Sequence, residues 1–97
     1  MDVEKKEGLL FVKDVSKKLG IDEQFIVHCI DTQWVIPTSR NRMQEPMLDD
    51  EDIARIQLIY ELQSDLGAND ESIGIILHLL DQLYHLRLQV AKLRRAA

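Results

Sequence analysis

The chain has 97 residues, of which 45% are hydrophobic and 30% are charged. This length supports one small domain with a single core, and the composition is too apolar for a disordered protein. The formal net charge of −5 opposes binding to a phosphate backbone. With one cysteine, no secretory signal and no apolar run of membrane-spanning length, we expect a cytoplasmic protein without a disulfide.

The first third of the chain predicts two short helices joined by a tight turn. The apolar run GLLFV at residues 8–12 is expected to form an edge strand or a leading segment. Apolar residues then recur at helical spacing as far as Leu19, and Gly20 supplies a left-handed stop. Asp22 is expected to cap the second helix. The buried stripe of that helix is predicted to comprise Phe25, Ile26, Cys29 and Ile30.

The helical pattern is interrupted between Thr32 and Leu48. Two short apolar pieces, WVIP and EPML, are separated there by the polar stretch TSRNRMQ. Pro37 and Pro46 exclude a helix through either piece. We therefore predict a small two-stranded wing, with Trp34 anchoring it against the helices. An exposed binding role for Trp34 is the alternative.

A third helix is predicted to begin after Asp49 or Asp50, in an acidic stretch suited to a helix N-terminus. Its predicted core face comprises Ile53, Ile56, Ile59, Tyr60, Leu62 and Leu66. The stretch LGAND then interrupts the pattern.

The last helix is predicted to begin at Asn69 or Asp70 and to carry two apolar stripes. One stripe is expected to join the core: Ile73, Leu77, Leu80, Tyr84 and Leu88. A small domain can cover only one such stripe, so the second requires a partner, and a homodimer is the simplest solution. The predicted dimer seam follows heptad positions: Ile76, Leu79, Leu83, Leu86, Val90 and Leu93.

The two short helices have the outline of a DNA-binding helix-turn-helix, but the surface chemistry differs. Base-contacting helices present Arg, Lys, Asn or Gln at their outward positions. The predicted outward positions of the second helix contain acidic residues and no Lys or Arg: Glu23, Gln24, Val27, His28 and Asp31. We therefore expect no specific binding to nucleic acid, although Lys17, Lys18, Arg40 and Arg42 are placed to contact phosphates.

The order of helix-turn-helix, wing and long C-terminal helix resembles the MerR-type winged helix family. That family commonly has a Leu-Arg-Tyr-Tyr run in its second helix and basic and aromatic residues at the end of the wing. The matching positions here are Phe25 to His28 and Glu45 to Leu48, so both DNA-contacting signatures are absent. The resemblance implies a mainly α fold whose helix-turn-helix is kept as a scaffold.

The C-terminal half, NDESIGIILHLLDQLYHLR, is similar to the chaperone-modulator CbpM family. That resemblance implies a cytoplasmic protein that binds the J-domain of a DnaJ-like co-chaperone, CbpA, and inhibits its work with DnaK. J-domains present a basic helix to DnaK. Independently, residues 41–81 hold ten acidic residues against two arginines, a surface suited to a basic helix. The candidate partner-binding residues are Glu45, Asp49, Asp50, Glu51, Asp52, Glu61 and Asp65.

Other kinds of site have little support in the sequence. No phosphate-binding glycine motif occurs, and Cys29 has no partner spacing typical of a nucleophile. His78, Asp81 and His85 span two helical turns, which suits tetrahedral metal binding poorly. We expect a non-enzymatic regulator without a cofactor, and a MerR-like DNA-binding regulator is the alternative. The chain is interpreted as one domain, 1–97, with about 8–48 as helix-turn-helix and wing, 49–66 as the third helix and 70–95 as the last helix.

Overall fold

The computed structural model describes residues 8–96. The described residues form four helices and three short strands, which makes the fold mainly α, as predicted. Contacts divide the chain into two compact units on either side of the Glu61–Leu62 bond. The single domain expected from the sequence stays a prediction. In chain order the elements are β1 (Leu10–Phe11), α1 (Val12–Leu19), α2 (Glu23–Asp31), β2 (Ser39–Arg40), β3 (Pro46–Leu48), α3 (Asp50–Ser64) and α4 (Asp70–Ala96).

The turn between α1 and α2 is closed by backbone geometry and two side chains. Gly20 adopts the left-handed conformation with φ of 68° and donates its N–H to the Ser16 carbonyl, an arrangement that ends a helix at little cost only for glycine. The Ser16 hydroxyl donates to the carbonyl of Ile21. Asp22 accepts the N–H of Gln24 at 2.9 Å and caps α2. The predicted stop and cap are both confirmed.

The wing is a three-stranded antiparallel sheet in the order β1-β3-β2. The prediction of two strands was wrong because the edge strand expected in the first apolar run pairs with β3, with Leu10 opposite Leu48. Of the two predicted strands, the one in EPML is confirmed as β3, but the expected position of the other was wrong. Residues 34–37 form no strand, and Ser39 instead pairs with Met47.

The core of the first unit is formed by α1, α2, β3 and α3, together with residues of the segments between them, whereas both residues of β1 are half-buried. Burial of each large apolar side chain contributes roughly 1.5–3 kcal/mol. The predicted stripe of α3 is confirmed at its three isoleucines, whereas Tyr60 is 38% exposed and edges against Phe25. The side chains with the lowest exposure in this unit are Val15, Ile26, Cys29, Val35, Met47, Leu48, Ile56 and Ile59.

The second unit contains the end of α3, a turn and α4. Leu66 is 76% exposed, so its prediction as a core residue was wrong; α3 has already ended at Ser64, and Gly67 turns the chain with φ of 69°. On α4, Ile73 and Leu77 are buried, but every residue from Asp81 to Ala96 is exposed.

The predicted core stripe of α4 is therefore only half right. Tyr84 is 57% exposed and Leu88 is 62% exposed, because no described element of the second unit covers the helix beyond Leu80. Within the predicted seam, Ile76 is half-buried and the other five residues are exposed in the single chain. Both apolar stripes of the C-terminal half of α4 are thus uncovered.

Candidate protein-binding surface

The outward face of α2 carries the chemistry predicted for it. All five predicted outward residues are exposed: Glu23, Gln24, Val27, His28 and Asp31. Glu23, Val27 and Asp31 are spaced by four residues, so they form one stripe along the helix, with an apolar side chain between two carboxylates. The face that a DNA-binding helix would present to base edges therefore contains no cation.

Trp34, predicted to anchor the wing against the helices, lies before the wing and contacts α2 and α3 from the segment that leaves α2. Its half-buried indole meets the His28 imidazole edge to face, with ring centroids 5.2 Å apart and planes at 90°. Its carbonyl accepts the Nε–H of Arg55 at 2.5 Å, which ties the segment to α3. These contacts favour the anchoring interpretation of Trp34 over the exposed binding role.

The turn between β2 and β3 is held by the side chain of Asn41. Its Oδ1 accepts the N–H groups of Met43 and Glu45, each at 2.9 Å, and its Nδ2 donates to Glu45 Oε1 at 2.9 Å. Gln44 has φ of 64°, and its carbonyl accepts from Arg40 Nη1 at 2.7 Å. The side chains of Arg40 and Glu45 are therefore both engaged in holding the tip of the wing.

Asp49 and Asp52 form a reciprocal cap at the start of α3. Asp49 Oδ1 accepts the N–H of Asp52 at 2.8 Å, and Asp52 Oδ2 accepts the N–H of Asp49 at 3.1 Å. Asp52 Oδ2 also accepts the Thr38 N–H at 3.1 Å and the Thr38 hydroxyl at 2.6 Å. The hydrogen bond from the Asp52 backbone is the main cause that lowers the pKa of Asp49. These two carboxylates stabilise the fold.

The other predicted partner-binding acids are exposed and differ in their contacts. Asp50 and Glu51 lie in the first turn of α3. Glu61 accepts from Gln57 Nε2 at 3.0 Å, and Asp65 accepts a long hydrogen bond from the Ser64 hydroxyl. Asp50 and Glu51 are thus the members of the set best placed to meet a partner without breaking a bond that the fold uses.

A groove of about 460 Å³ runs between α1, α2 and the wing. Its apolar lining comprises Phe11, Val12, Val27, Ile30 and Pro46. Three carboxylates and two cations also line it: Glu23, Asp31, Glu45, Lys13 and Arg40. The groove includes the whole Glu23–Val27–Asp31 stripe of α2.

Sequence reasoning missed this groove because its walls come from segments that only the fold brings together. Arg40 lies on β2, Pro46 on β3 and Phe11 on β1. The spacing of Glu23, Val27 and Asp31 was the one signal available in the sequence.

Within residues 8–96, no group of three or more His, Cys, Asp or Glu side chains is arranged to hold a metal ion. No helix in that range is long and apolar enough to cross a bilayer.

A helix-turn-helix followed by a small antiparallel wing and long helices defines a winged helix-turn-helix protein. Residues 10–95 match the family described as MerR HTH family regulatory protein, so the chain belongs to the MerR helix-turn-helix family of regulatory proteins. No curated protein sequence matches the chain significantly.

A solved structure supports the same fold. It is the crystal structure of HiNmlR, a MerR family regulator lacking the sensor domain, bound to promoter DNA. The TM-score is 0.65, the sequence identity is 15%, and the similarity covers 90% of this chain and 76% of that one.

We predict that Asp49→Asn reduces stability in a pH-dependent way. The folded state lowers the pKa of Asp49, so the charged cap contributes stability above the unfolded pKa of about 4 and loses it as the pH falls through the lower folded value. Asparagine also caps helices, so the deficit at pH 6 should be no more than about 1 kcal/mol. Urea unfolding should show that deficit shrinking towards pH 2.

Asp50→Asn is the matched control, because it removes the same charge one residue along the chain, from a side chain outside the reciprocal cap. Its effect should change less with pH. An equal pH dependence in the two variants would contradict the role assigned to Asp49.

Proposed function

We propose that this MerR-family chain is a protein-binding regulator of the CbpM type. In this proposal it binds the J-domain of a DnaJ-like co-chaperone and inhibits its work with DnaK. The observation that carries the proposal is the exposed face of α2, where a DNA-binding scaffold presents Glu23, Val27 and Asp31 and no Lys or Arg. The resemblance of the C-terminal half to CbpM supplies the class of partner.

The electrostatics of the wing–α3 junction support a basic partner. Asp50 and Glu51 are exposed at the N-terminus of α3. Glu45 is exposed as well, but it lies at the tip of the wing, where it bonds with Asn41. Acidic groups at a surface attract a basic helix during encounter and discriminate against anionic polymers. A modulator that covers the basic helix of a J-domain occludes the surface which that helix offers to DnaK, so no enzymatic step is needed for inhibition.

A second candidate function is DNA binding. It is favoured by the fold shared with HiNmlR, whose crystal structure contains promoter DNA, and by the exposed cations Lys17, Lys18 and Arg42. Shared fold alone does not transfer function, because recognition depends on the side chains at the site. With few phosphate contacts beside exposed acids, any duplex binding should be weak and change little with salt.

We also propose that α4 forms a homodimer through the seam from Ile76 to Leu93. The support is the exposure of this heptad stripe, with Leu79 and Leu86 each 58% exposed. Leaving so many large apolar side chains of one helix in water is unfavourable, and pairing with a second copy removes them from it. Tyr84 and Leu88 lie on the other stripe, outside the proposed seam.

The first prediction from this proposed function tests the acidic residues at the start of α3. Asp50→Lys with Glu51→Lys should slow association with a J-domain by about tenfold at low salt and flatten the salt dependence, because interfacial charge mainly steers encounter. Surface plasmon resonance over a range of salt concentrations measures both quantities, after circular dichroism has established that the variant is folded.

Glu71→Lys with Asp81→Lys is the control, because it makes the same change of net charge on α4. It should leave the association rate much closer to that of the wild type. Equal slowing by the two double variants would mean that net charge alone, and not the junction surface, controls association.

The second prediction separates the two candidate functions. Selection from random DNA duplexes at physiological salt should enrich no sequence motif, because the α2 face lacks the cations that contact phosphates and bases. Enrichment of a motif that disappears in Gln24→Ala would establish DNA recognition and defeat the protein-binding proposal for this face.

The third prediction concerns the seam. Leu83→Asp with Leu86→Asp should convert the dimer to a monomer in sedimentation at micromolar concentration, because two carboxylates would have to be desolvated in an apolar interface. Tyr84→Asp with Leu88→Asp, the matched change on the other stripe, should leave the dimer intact. A monomeric wild-type protein at that concentration would refute the seam.

A further inference from the structure

The groove between α1, α2 and the wing is separate from the acidic residues at the start of α3 and from the proposed dimer seam. Its α2 wall places a carboxylate, an apolar side chain and a second carboxylate in line: Glu23, Val27 and Asp31. At 1.5 Å per residue the stripe spans about 12 Å. All three side chains are exposed, and Val27 is 44% exposed.

Apolar side chains from α2 and from the sheet also line the groove beside this stripe. Ile30 lies one helical turn from Val27 and is half-buried, and Phe11 and Pro46 line the groove from the sheet. A partner side chain that enters here exchanges water for apolar contacts on several sides, which is how an interface anchor residue contributes to affinity. The groove is therefore better suited to a side chain than to a phosphate group.

We propose that this groove is the docking site for an amphipathic helix of a partner protein that carries the complementary pattern. That helix has an apolar residue flanked, four residues before and four residues after, by Lys or Arg. The apolar residue enters beside Val27, and the two cations pair with Glu23 and Asp31. The inference rests on the proposed function in taking a protein as the partner, and it locates the contact on α2 as well as at the start of α3.

Charge complementarity and helix geometry both favour a basic amphipathic helix as the partner. A helix that crosses α2 at about −50° runs its own row of side chains four residues apart along the stripe, so three contacts can form at matching spacing. An acidic helix would place like charges opposite Glu23 and Asp31, which costs binding free energy and supplies specificity. Lys13 and Arg40 also line the groove, but neither cation lies on α2. Arg40 already donates to the Gln44 carbonyl, and Lys13 belongs to α1.

The decisive experiment uses two designed helical peptides of equal length as probes. The basic peptide has Leu flanked by Lys at four residues on each side, and the acidic peptide has Glu in place of both Lys. Each is titrated into the ¹⁵N-labelled full chain at physiological salt and followed by NMR. We expect the basic peptide to shift the amide signals of α2, β2 and β3, and the acidic peptide to shift none of them.

Two point variants test the apolar contact. Val27→Lys should raise the Kd of the basic peptide by about tenfold. Ile36→Lys makes the same kind of change at a residue that is 75% exposed and outside the groove lining, and should leave the Kd unchanged. Equal loss in both variants, or no loss in either, would overturn the proposal.

A charge exchange tests the flanking pairs independently of any loss of folding. Glu23→Lys with Asp31→Lys should reverse the preference, so that the acidic peptide binds the variant more tightly than the basic one. A general loss of affinity for both peptides would overturn the assignment of these two carboxylates. A duplex DNA that shifts the same signals in the wild type, when neither peptide does, would overturn it in favour of nucleic acid.

A titration with a CbpA-type J-domain keeps this inference distinct from the proposed function. If the peptides behave as expected and the J-domain does not bind the wild type, the docking site in the groove is supported and the J-domain is excluded as the partner. If the J-domain binds the wild type and Val27→Lys equally well and the basic peptide does not bind, the J-domain is supported as the partner. The docking site in the groove is then contradicted. Weakened J-domain binding in Val27→Lys, with full binding in Ile36→Lys, supports both.

Discussion

The carboxylate of Asp52 connects the wing to the third helix. One oxygen accepts the backbone N–H and the hydroxyl of Thr38, just before β2, and the N–H of Asp49, just after β3. Both ends of the wing hairpin are thereby joined to the first turn of α3. The bond from Arg55 to the Trp34 carbonyl joins the segment after α2 to the same helix, so α3 holds both the wing and the end of α2, which line the groove.

The same scaffold is compatible with very different recognition chemistry. The helix-turn-helix is held by residues of the turn and the core, such as Gly20, Ser16 and the buried Ile26. Of the outward positions of α2, His28 packs against Trp34, whereas Glu23, Val27 and Asp31 are exposed, so the recognition chemistry of that stripe can change without cost to the core. Family membership therefore determines the architecture of this chain, and the few exposed side chains of α2, the wing and α3 determine what it binds.

The sequence was most informative where one residue determines one local conformation. Gly20 ends α1 and Asp22 caps α2, each through a bond within the same turn. The wing was harder to predict because its strands are only two or three residues long and are defined by backbone pairing between distant segments. The groove could not be predicted for the same reason, because tertiary structure brings Val27 and the wing to the same groove. Burial on α4 failed as a prediction beyond Leu80 because helical periodicity identifies an apolar face but not what covers it.

In the proposed homodimer, the helical content of the exposed C-terminal half of α4 would depend on protein concentration. A helical segment of about this length is marginally stable in water when nothing packs against it. Its order is therefore thermodynamically linked to whatever covers its apolar stripes, and by mass action the fraction of ordered helix rises with the concentration of that component. The helical content of residues 81–96, which lie outside the helix-turn-helix, would then increase with the concentration of the partner.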